Sequence, residues 1–381
     1  MKRGITACIL AIAVTCALAV SERPAESQAP AGAPTFQVDP YWPKALPNNW
    51  MLGNVVGISI DANDNIWVTH RPNSISFANK TPPVLEFDQA GNLLKTMGGP
   101  GPGYEWGTQV HGIYVDGTGS VWIGFGGGLP YDPKKPHTTD NAHVIKFSPE
   151  GRFLLQVGKF GKGTEGSNST QYLGNPTDVY VDPQANEAYI SDGYINHRVI
   201  VVDANTGAYK RHWGAYGKKP DDTMIPPQGS APAATRDLAA APPQQFETPH
   251  CVKMANDGML YVCDRQNTRI QVFKKDGTFV KEVFVRAQTE EGMKPSRPGD
   301  IAFSRDPRQS LMYVVDMMNA KVLTLRRDTL ETIGTFGHLG RNAGYLLTPH
   351  SLAVDSKGNL FVTETTEGSR LQKFVITTPT R

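Results

Sequence analysis

Short apolar segments alternate with polar turn residues between residues 248 and 284. The stretch TPHCVKMANDGMLYVCDRQNTRIQVF is followed by one more turn and one more apolar segment. Asn256-Asp257-Gly258 separates the first two segments and Asp276-Gly277 separates the last two. Both sequences tolerate the positive φ that tight hairpin turns require. The pattern predicts four antiparallel strands, of which the first ends at Met254 and the others are Leu260–Val262, Arg269–Phe273 and Phe279–Phe284.

The same pattern recurs along the chain. Successive starts are separated by 55, 65, 73, 49 and 51 residues, which fits propeller blades with loop insertions. Six four-stranded units predict an all-β fold, a single six-bladed β-propeller. A large β-sandwich, in which the similarity between segments is coincidental, is the alternative. The six units begin near Val55, Val110, Asn175, Thr248, Arg297 and Thr348.

The last unit lacks one strand. Its pattern supplies only Ser351–Val354, Leu360–Thr363 and Leu371–Val375. A lone strand-like segment, Thr35–Asp39, precedes the first unit. Because a propeller must protect its sheet edges, we expect this segment to complete the sixth blade, so that the propeller extends over residues 35–381.

The first 19 residues resemble a secretory signal. Lys2 and Arg3 precede the apolar run Ile9–Val20, and Ala17-Leu18-Ala19 is a small-x-small cleavage site. The run is too short and too rich in alanine for a good membrane span. Residues 20–34 are expected to be a disordered lead-in. We therefore expect an exported protein, periplasmic or secreted, with no membrane partner after signal removal.

The charge balance limits the kinds of partner. The chain has 381 residues, with 38 basic and 36 acidic residues and a net charge of +2. This balance gives no electrostatic reason to expect a nucleic acid or an anionic membrane as partner. Two insertions, Gly126–Ala142 and Gly217–Gln245, are expected to be mobile surface loops, and a lid over a mouth of the channel is the alternative.

Two cysteines follow the signal, Cys251 and Cys263. With a turn at Asn256-Asp257-Gly258, paired residue numbers should sum to about 513, so the cysteines are expected nearly opposite each other but one register off. A disulfide suits an exported compartment. Two buried free thiols are the alternative.

Aligning the six units places histidine in alternate blades. First strands line the channel of a propeller, and alternate blades of six lie about 120° apart by symmetry, so three imidazoles should point at one spot. Such a set suits Zn²⁺, which takes three protein ligands and keeps a fourth position open. Taken alone, each histidine is equally explained as a hydrogen-bonded polar residue at the start of a strand, with no role in metal binding. The six aligned residues are Val56, His111, Thr177, His250, Gly299 and His350.

Residues that follow the second strands should surround the same mouth of the channel. They include Arg71, Tyr194 and Arg265. Two guanidinium groups and a phenol beside a metal would make an anion-binding site with a candidate proton acceptor.

These residues also carry a resemblance. The chain resembles NHL-repeat propellers, and specifically the peptidyl-α-hydroxyglycine α-amidating lyase (peptidylamidoglycolate lyase) family, over about residues 50–375. The strongest segments are NPTDVYVDPQANEAYISDGYINHR, TPHCVKMANDGMLYVCDRQNTRIQVF and TPHSLAVDSKGNLFVTE. The resemblance implies that the three histidines hold a catalytic zinc and that the substrate site contains Tyr194, Arg71 and Arg265. It implies a small substrate, a peptide ending in α-hydroxyglycine or a similar α-hydroxy amide, which is cleaved to an amide and glyoxylate.

The resemblance further implies a structural calcium ion, held by the backbone carbonyls of Ile58 and Ile113 and by a carboxylate after the third histidine. Ser351 stands at that carboxylate position in this sequence. A neutral hydroxyl removes the main charge attraction for a hard cation, so we expect calcium to be weakly bound or missing. The cysteine that follows the tyrosine in animal members is Ile195 here, so a disulfide there is not expected.

Two other functions fit the same pattern. One is an exported NHL-repeat binding or scaffold protein without catalysis, because propellers often serve as interaction platforms. The other is a calcium-dependent hydrolase or lactonase, whose channel would need carboxylate ligands. Asp178 and Asp300 are candidates for such ligands, but they lie in blades without histidine.

Overall fold

Six four-stranded antiparallel sheets make up the described part of the protein. The computed structural model describes residues 32–76, 80–127, 141–163, 165–224, 241–285 and 294–377. The sheets are the blades of a six-bladed β-propeller, as predicted from the repeat. In the described part of the chain, no helix has the length and apolar character needed to cross a membrane.

Each blade contains four strands, numbered here in chain order. Blade 1 consists of β2 (Asn54–Ile60), β3 (Ile66–Arg71), β4 (Val84–Phe87) and β5 (Leu93–Met97). Blade 2 consists of β6 (Val110–Val115), β7 (Val121–Phe125), β8 (His143–Phe147) and β9 (Phe153–Gly158). Blade 3 consists of β10 (Pro176–Asp182), β11 (Glu187–Asp192), β12 (Arg198–Asp203) and β13 (Tyr209–Trp213).

The second half of the chain repeats this order. Blade 4 consists of β14 (Pro249–Met254), β15 (Leu260–Asp264), β16 (Arg269–Phe273) and β17 (Phe279–Phe284). Blade 5 consists of β18 (Pro298–Phe303), β19 (Leu311–Asp316), β20 (Lys321–Arg326) and β21 (Thr332–Phe336). Blade 6 consists of β22 (Pro349–Val354), β23 (Leu360–Glu364), β24 (Arg370–Ile376) and β1 (Phe36–Asp39). Short 3-10 helices lie in the loops at Pro47–Asn49, Pro72–Ser74, Ala215–Gly217 and Asp222–Met224.

Apolar layers between neighbouring blades form the core. Successive side chains of a strand point to opposite faces of its sheet, so each blade packs against a neighbour on both sides. Between blades 4 and 5, the ring of Tyr261 packs against that of Phe303. Between blades 6 and 1, Trp42 packs against Phe87 and Phe361. This stacking keeps the first strands of all blades around a common channel.

Blade 6 is built from both ends of the chain, as predicted. Strand β1 pairs with β24, from Phe36 opposite Ile376 to Asp39 opposite Lys373. Phe36 also packs against the ring of Tyr313 in blade 5. The N-terminal segment therefore covers the edge that the last blade would otherwise leave open.

Several predicted segments lie outside the described residues. These are the signal peptide, most of the lead-in, and residues 128–140 and 225–240 of the two loop insertions. The signal and the lead-in stay predictions.

Cys251 and Cys263 lie directly opposite each other and form a disulfide. The predicted offset of one residue is wrong, and the alternative of two free thiols does not hold. The expected register is present where Pro249 pairs with Asp264, but one extra residue, His250, then shifts the pairing. This β-bulge brings the two cysteines into register.

Candidate metal centre

The first strand of every blade carries one extra residue near its start. In blade 4, His250 is that residue, between the Pro249–Asp264 and Cys251–Cys263 pairs. The pairing of all six first strands shifts at the same place. A β-bulge bends a strand and re-aims a side chain. The bulges contain the residues that the sequence alignment placed around the channel: Val56, His111, Thr177, His250, Gly299 and His350.

The three histidines converge on one point. The ring centroid of His111 lies 4.8 Å from that of His350 and 4.9 Å from that of His250. The rings of His250 and His350 lie 4.9 Å apart. All three side chains are buried, and one nitrogen of each lies within 4.8 Å of the others. This arrangement provides three ligands for one metal ion.

The blades without histidine orient two of the imidazoles directly. Nδ1–H of His111 donates to the carbonyl of Thr177 at 2.7 Å. Nδ1–H of His250 donates to the carbonyl of Gly299 at 2.6 Å. A donor at Nδ1 leaves the lone pair on Nε2, the atom that faces the centre of the site.

The third imidazole lies against the carbonyl of Val56, and a neighbouring hydroxyl group contacts both. Nδ1 of His350 lies 3.2 Å from Oγ of Ser351, and that hydroxyl donates to the carbonyl of Val56 at 3.0 Å. Sequence reasoning missed this role of the alternate blades. The groups involved are backbone carbonyls, which every residue type has, so the residue identities carried no signal.

Close packing of the first strands explains two glycines in the channel. A Cβ atom on Gly112 would lie 2.4 Å from the carbonyl oxygen of Thr177. A Cβ atom on Gly299 would lie 2.7 Å from the carbonyl oxygen of His350 and 2.8 Å from Cγ of Met317. Gly112 therefore lets the carbonyl of Thr177 approach the imidazole of His111 in the preceding blade, and Gly299 lets β18 lie close to β22.

The histidines are neutral near neutral pH. Burial lowers the pKa of His350 to about 3. Burial also lowers the pKa of His111, and the electrostatic interaction with His350 lowers it further. Burial likewise lowers the pKa of His250, and the charge of Arg265 lowers it further. Neutral imidazole is the form that binds a metal ion.

The phenol of Tyr194 contacts two of the histidines. Its Oη lies 3.1 Å from Nε2 of His111 and 3.3 Å from Nε2 of His250. Nη1 of Arg265 donates to the same oxygen at 3.1 Å, and the guanidinium carbon lies 5.1 Å from the phenol ring centroid. The phenol oxygen therefore lies between the candidate metal ligands and a fixed cation.

Buried ion pairs anchor the turns that carry this phenol and this guanidinium. In blade 3, Asp192 and Arg198 pair at 3.0 Å, and in blade 4, Asp264 and Arg269 pair at 2.8 Å. All four side chains are fully buried. Because an unpaired buried charge is strongly destabilising, these pairs hold the turns in one conformation.

Arg71 is the last residue of β3 rather than the residue after the strand, a small correction to the prediction. Its Nε donates to the carbonyl of Val110 at 3.1 Å and its Nη2 to that of Gly126 at 3.2 Å. Burial lowers the pKa of Arg71, and the attraction of Tyr194 opposes this effect. The buried Nε of Arg265 has no acceptor among the described residues. Both guanidinium groups lie close enough to act on the site electrostatically, because the charges of Arg71 and Arg265 also lower the pKa of His350.

A cavity of about 10 Å³, room for about one water molecule, lies beside the histidines. Ile58, Ile113 and Ser351, the residues considered for calcium, line it. So does Lys253, whose ammonium group pairs with two buried carboxylates. Sequence reasoning missed Lys253. The available signal was a lysine within strand β14, whose other residues apart from His250 are apolar.

Fold and site together define the class: a six-bladed β-propeller with a candidate three-histidine metal centre in its channel. The family model for the NHL repeat matches residues 346–374, which lie in and just before blade 6. The prediction of NHL repeats is therefore confirmed.

The similarity to amidating enzymes is also confirmed. The chain is 28% identical to mouse NHL repeat-containing protein 3, over 90% of this chain and 84% of that protein. It is 25% identical to peptidyl-glycine alpha-amidating monooxygenase B of Xenopus laevis, over 86% of this chain and 34% of that protein. It is 24% identical to peptidyl-alpha-hydroxyglycine alpha-amidating lyase 1 of Drosophila melanogaster, over 90% of this chain and 60% of that protein. The chain thus spans about a third of the length of the frog enzyme.

Among solved structures, the fold is similar to that of a streptogramin B lyase. The TM-score is 0.52 at 13% sequence identity, over 90% of this chain and 98% of that chain. At this identity the similarity supports the propeller fold alone.

Proposed function

We propose that this protein is an exported zinc-dependent lyase that cleaves a C-terminal α-hydroxyglycine, or a similar α-hydroxy amide, to an amide and glyoxylate. One observation carries the proposal: the phenol of Tyr194 contacts two candidate metal ligands and a guanidinium group. The similarity to the Drosophila protein named as an amidating lyase supports it. The disulfide between Cys251 and Cys263 supports export, because disulfides persist in oxidising compartments.

The donor set fits zinc. His111, His250 and His350 are neutral nitrogen ligands, and zinc readily accepts three imidazoles. Hydrogen bonds at Nδ1 already fix the orientation of the first two rings. When bound, zinc supplies a Lewis acid that polarises a substrate oxygen and eases loss of the hydroxyl proton.

The protein's own groups bind the substrate and move one proton. Arg71 and Arg265 hold the substrate carboxylate, which leaves as part of glyoxylate. Tyr194 accepts the proton of the substrate hydroxyl, and Nη1 of Arg265 donates a hydrogen bond to the accepting oxygen. The C–N bond then breaks as the new C=O bond of glyoxylate forms. The amide nitrogen leaves with the electron pair of the C–N bond and takes up the proton from Tyr194.

A binding protein without catalysis is the second candidate. The similarity to mouse NHL repeat-containing protein 3 covers 84% of that protein, whose name describes repeats and no reaction. In that case the convergence of the histidines would be incidental and the channel would hold no metal.

A calcium-dependent hydrolase has less support, because Asp178 and Asp300 are already paired with Lys253.

Metal analysis and one assay separate these candidates. The purified protein is analysed by inductively coupled plasma mass spectrometry, and glyoxylate release is measured with a short peptide that ends in α-hydroxyglycine. We expect one zinc ion per chain and release of glyoxylate. Zinc-loaded protein that releases none contradicts the lyase proposal, and a protein that binds no metal supports the binding protein.

A further inference from the structure

A largely buried lysine lies next to the candidate metal centre. Lys253 is on β14, three residues after His250, and both line the same cavity. Its Nζ lies 2.7 Å from a carboxylate oxygen of Asp178 and 3.4 Å from one of Asp300. The ammonium group therefore bridges blades 3, 4 and 5.

The two carboxylates connect this lysine to the histidine-bearing strands. Asp178 accepts the N–H of Val252, in the strand of His250, at 3.1 Å. Asp300 accepts the N–H of Leu352, in the strand of His350, at 3.3 Å. Asp178 also directly follows the residue whose carbonyl orients His111, and Asp300 directly follows the residue whose carbonyl orients His250.

The charges in this cluster depend on one another. Two carboxylates held in a buried channel need a cation, because an unpaired buried charge is costly. Burial alone would lower the pKa of Lys253, but the attraction of Asp178 and Asp300 outweighs it and raises the pKa. Burial raises the pKa of Asp300 to about 7, even with Lys253 opposing this effect. Lys253 is thus a charged group, and it is the cation that these carboxylates contact.

We propose that Lys253 is a built-in cation and a positioning residue of the channel. Its ammonium group is the counter-charge that Asp178 and Asp300 share, and so holds the neighbouring carbonyls against the imidazoles without a second metal ion. Without the ammonium group, the same site would present two carboxylates in a cavity large enough for a single ion. Such oxygen ligands are those that Ca²⁺ prefers. The proposal is independent of lyase activity and holds for either candidate function.

The test compares the wild-type protein with Lys253→Met, which keeps most of the side-chain length and removes the charge. Melting temperatures are measured in calcium-free buffer treated with a chelating resin and in the same buffer with millimolar CaCl₂, and bound calcium is measured by equilibrium dialysis. We expect the wild type to melt at the same temperature in both buffers and to bind no stoichiometric calcium. In the calcium-free buffer the variant should melt about 10 °C lower than the wild type. Calcium should restore part of this loss, with about one ion bound per chain.

Lys146→Met is the matched control. Lys146 is also largely buried, 4.0 Å from Asp116, but it lies outside the channel cavity. This variant should show no calcium-dependent shift, because only one carboxylate loses its partner. A general loss of packing would lower the melting temperature of either variant, but it would not create a response to calcium.

Three results would overturn the proposal. One is stoichiometric calcium in the wild type, which would mean that the lysine does not replace an ion. Another is a Lys253→Met variant with the wild-type melting temperature and no response to calcium. The third is a variant that stays unfolded in both buffers, because the proposal requires calcium to replace the missing charge and to restore folding. A variant that is recovered folded only with calcium present supports the proposal. None of these readouts uses glyoxylate release, so failure here is distinct from failure of the lyase proposal.

Discussion

Blades 2, 4 and 6 differ from blades 1, 3 and 5 at one position of a common frame. All six blades place a β-bulge at the start of the first strand. In the even blades the bulge presents an imidazole to the centre of the channel. In blades 3 and 5 the residue at the same position presents its carbonyl to the imidazole of the preceding blade. In blade 1, the corresponding carbonyl of Val56 contacts the imidazole of His350 and also accepts the hydroxyl of Ser351.

Ligand supply and ligand orientation therefore come from two different sets of blades. The even blades supply the metal ligands, and the odd blades fix their direction. Losing a ligand removes a bond to the ion, whereas disturbing a carbonyl only loosens the ligand that it orients. The effects of substitutions should therefore differ in size between the two sets.

The largest effect should follow removal of an even-blade ligand. His250→Ala leaves two imidazoles, too few for a stable zinc site, so we expect loss of bound metal and of glyoxylate release together. Metal content after dialysis checks this. His212→Ala, in the outer strand β13, is the control and should keep its metal. Stoichiometric metal in His250→Ala would show that the three histidines are not the ligands.

A large effect on turnover alone should follow Tyr194→Phe in blade 3. The variant keeps the ring but loses the proton acceptor, so turnover should fall about 10²–10⁴-fold, the usual contribution of a general base. Metal content and melting temperature should stay close to wild type. Tyr209→Phe, which removes an exposed hydroxyl of the same blade, should leave turnover unchanged. Full activity in Tyr194→Phe would exclude the phenol as the base.

An intermediate effect should follow loss of the closing strand, because only blade 6 depends on both ends of the chain. Deletion through Asp39 removes β1 and exposes the edge of β24. Two partly buried apolar side chains, Phe36 and Val38, lose their packing, which should cost about 3 kcal/mol of unfolding free energy. Deletion through Pro34 should cost little. Equal melting temperatures for the two truncations would contradict this role of β1.

The smallest effect should follow Gly299→Ala in blade 5. The added Cβ would crowd the carbonyl oxygen of His350 and the side chain of Met317, and overpacking of this kind costs about 1–3 kcal/mol. We expect a moderately lower melting temperature and weaker metal binding, without complete loss. Gly117→Ala is the control, because a Cβ there has no neighbour within 4 Å. Complete metal loss in Gly299→Ala would mean that the odd blades do more than orient the ligands.

Local sequence patterns were enough to predict the blades and their number. Apolar segments and Asn/Asp-Gly turns are local features, and a strand pattern depends mainly on neighbours along the chain. The predicted strands Arg269–Phe273 and Phe279–Phe284 match β16 and β17 residue for residue. The unpaired segment at Thr35–Asp39 was recognisable because the last unit lacked a strand. The histidines in alternate blades could be recognised because the six repeats could be aligned with one another.

The contacts between strands and between blades were evident in the three-dimensional structure but not in the sequence. The bulge at His250 changed the register by one and brought Cys251 opposite Cys263. The carbonyls of Thr177 and Gly299 became second partners of the imidazoles. Lys253 reached two carboxylates that are 75 and 47 residues away along the chain. These features depend on contacts between distant strands and on backbone atoms common to all residues, so hydrophobic pattern and residue identity could not specify them.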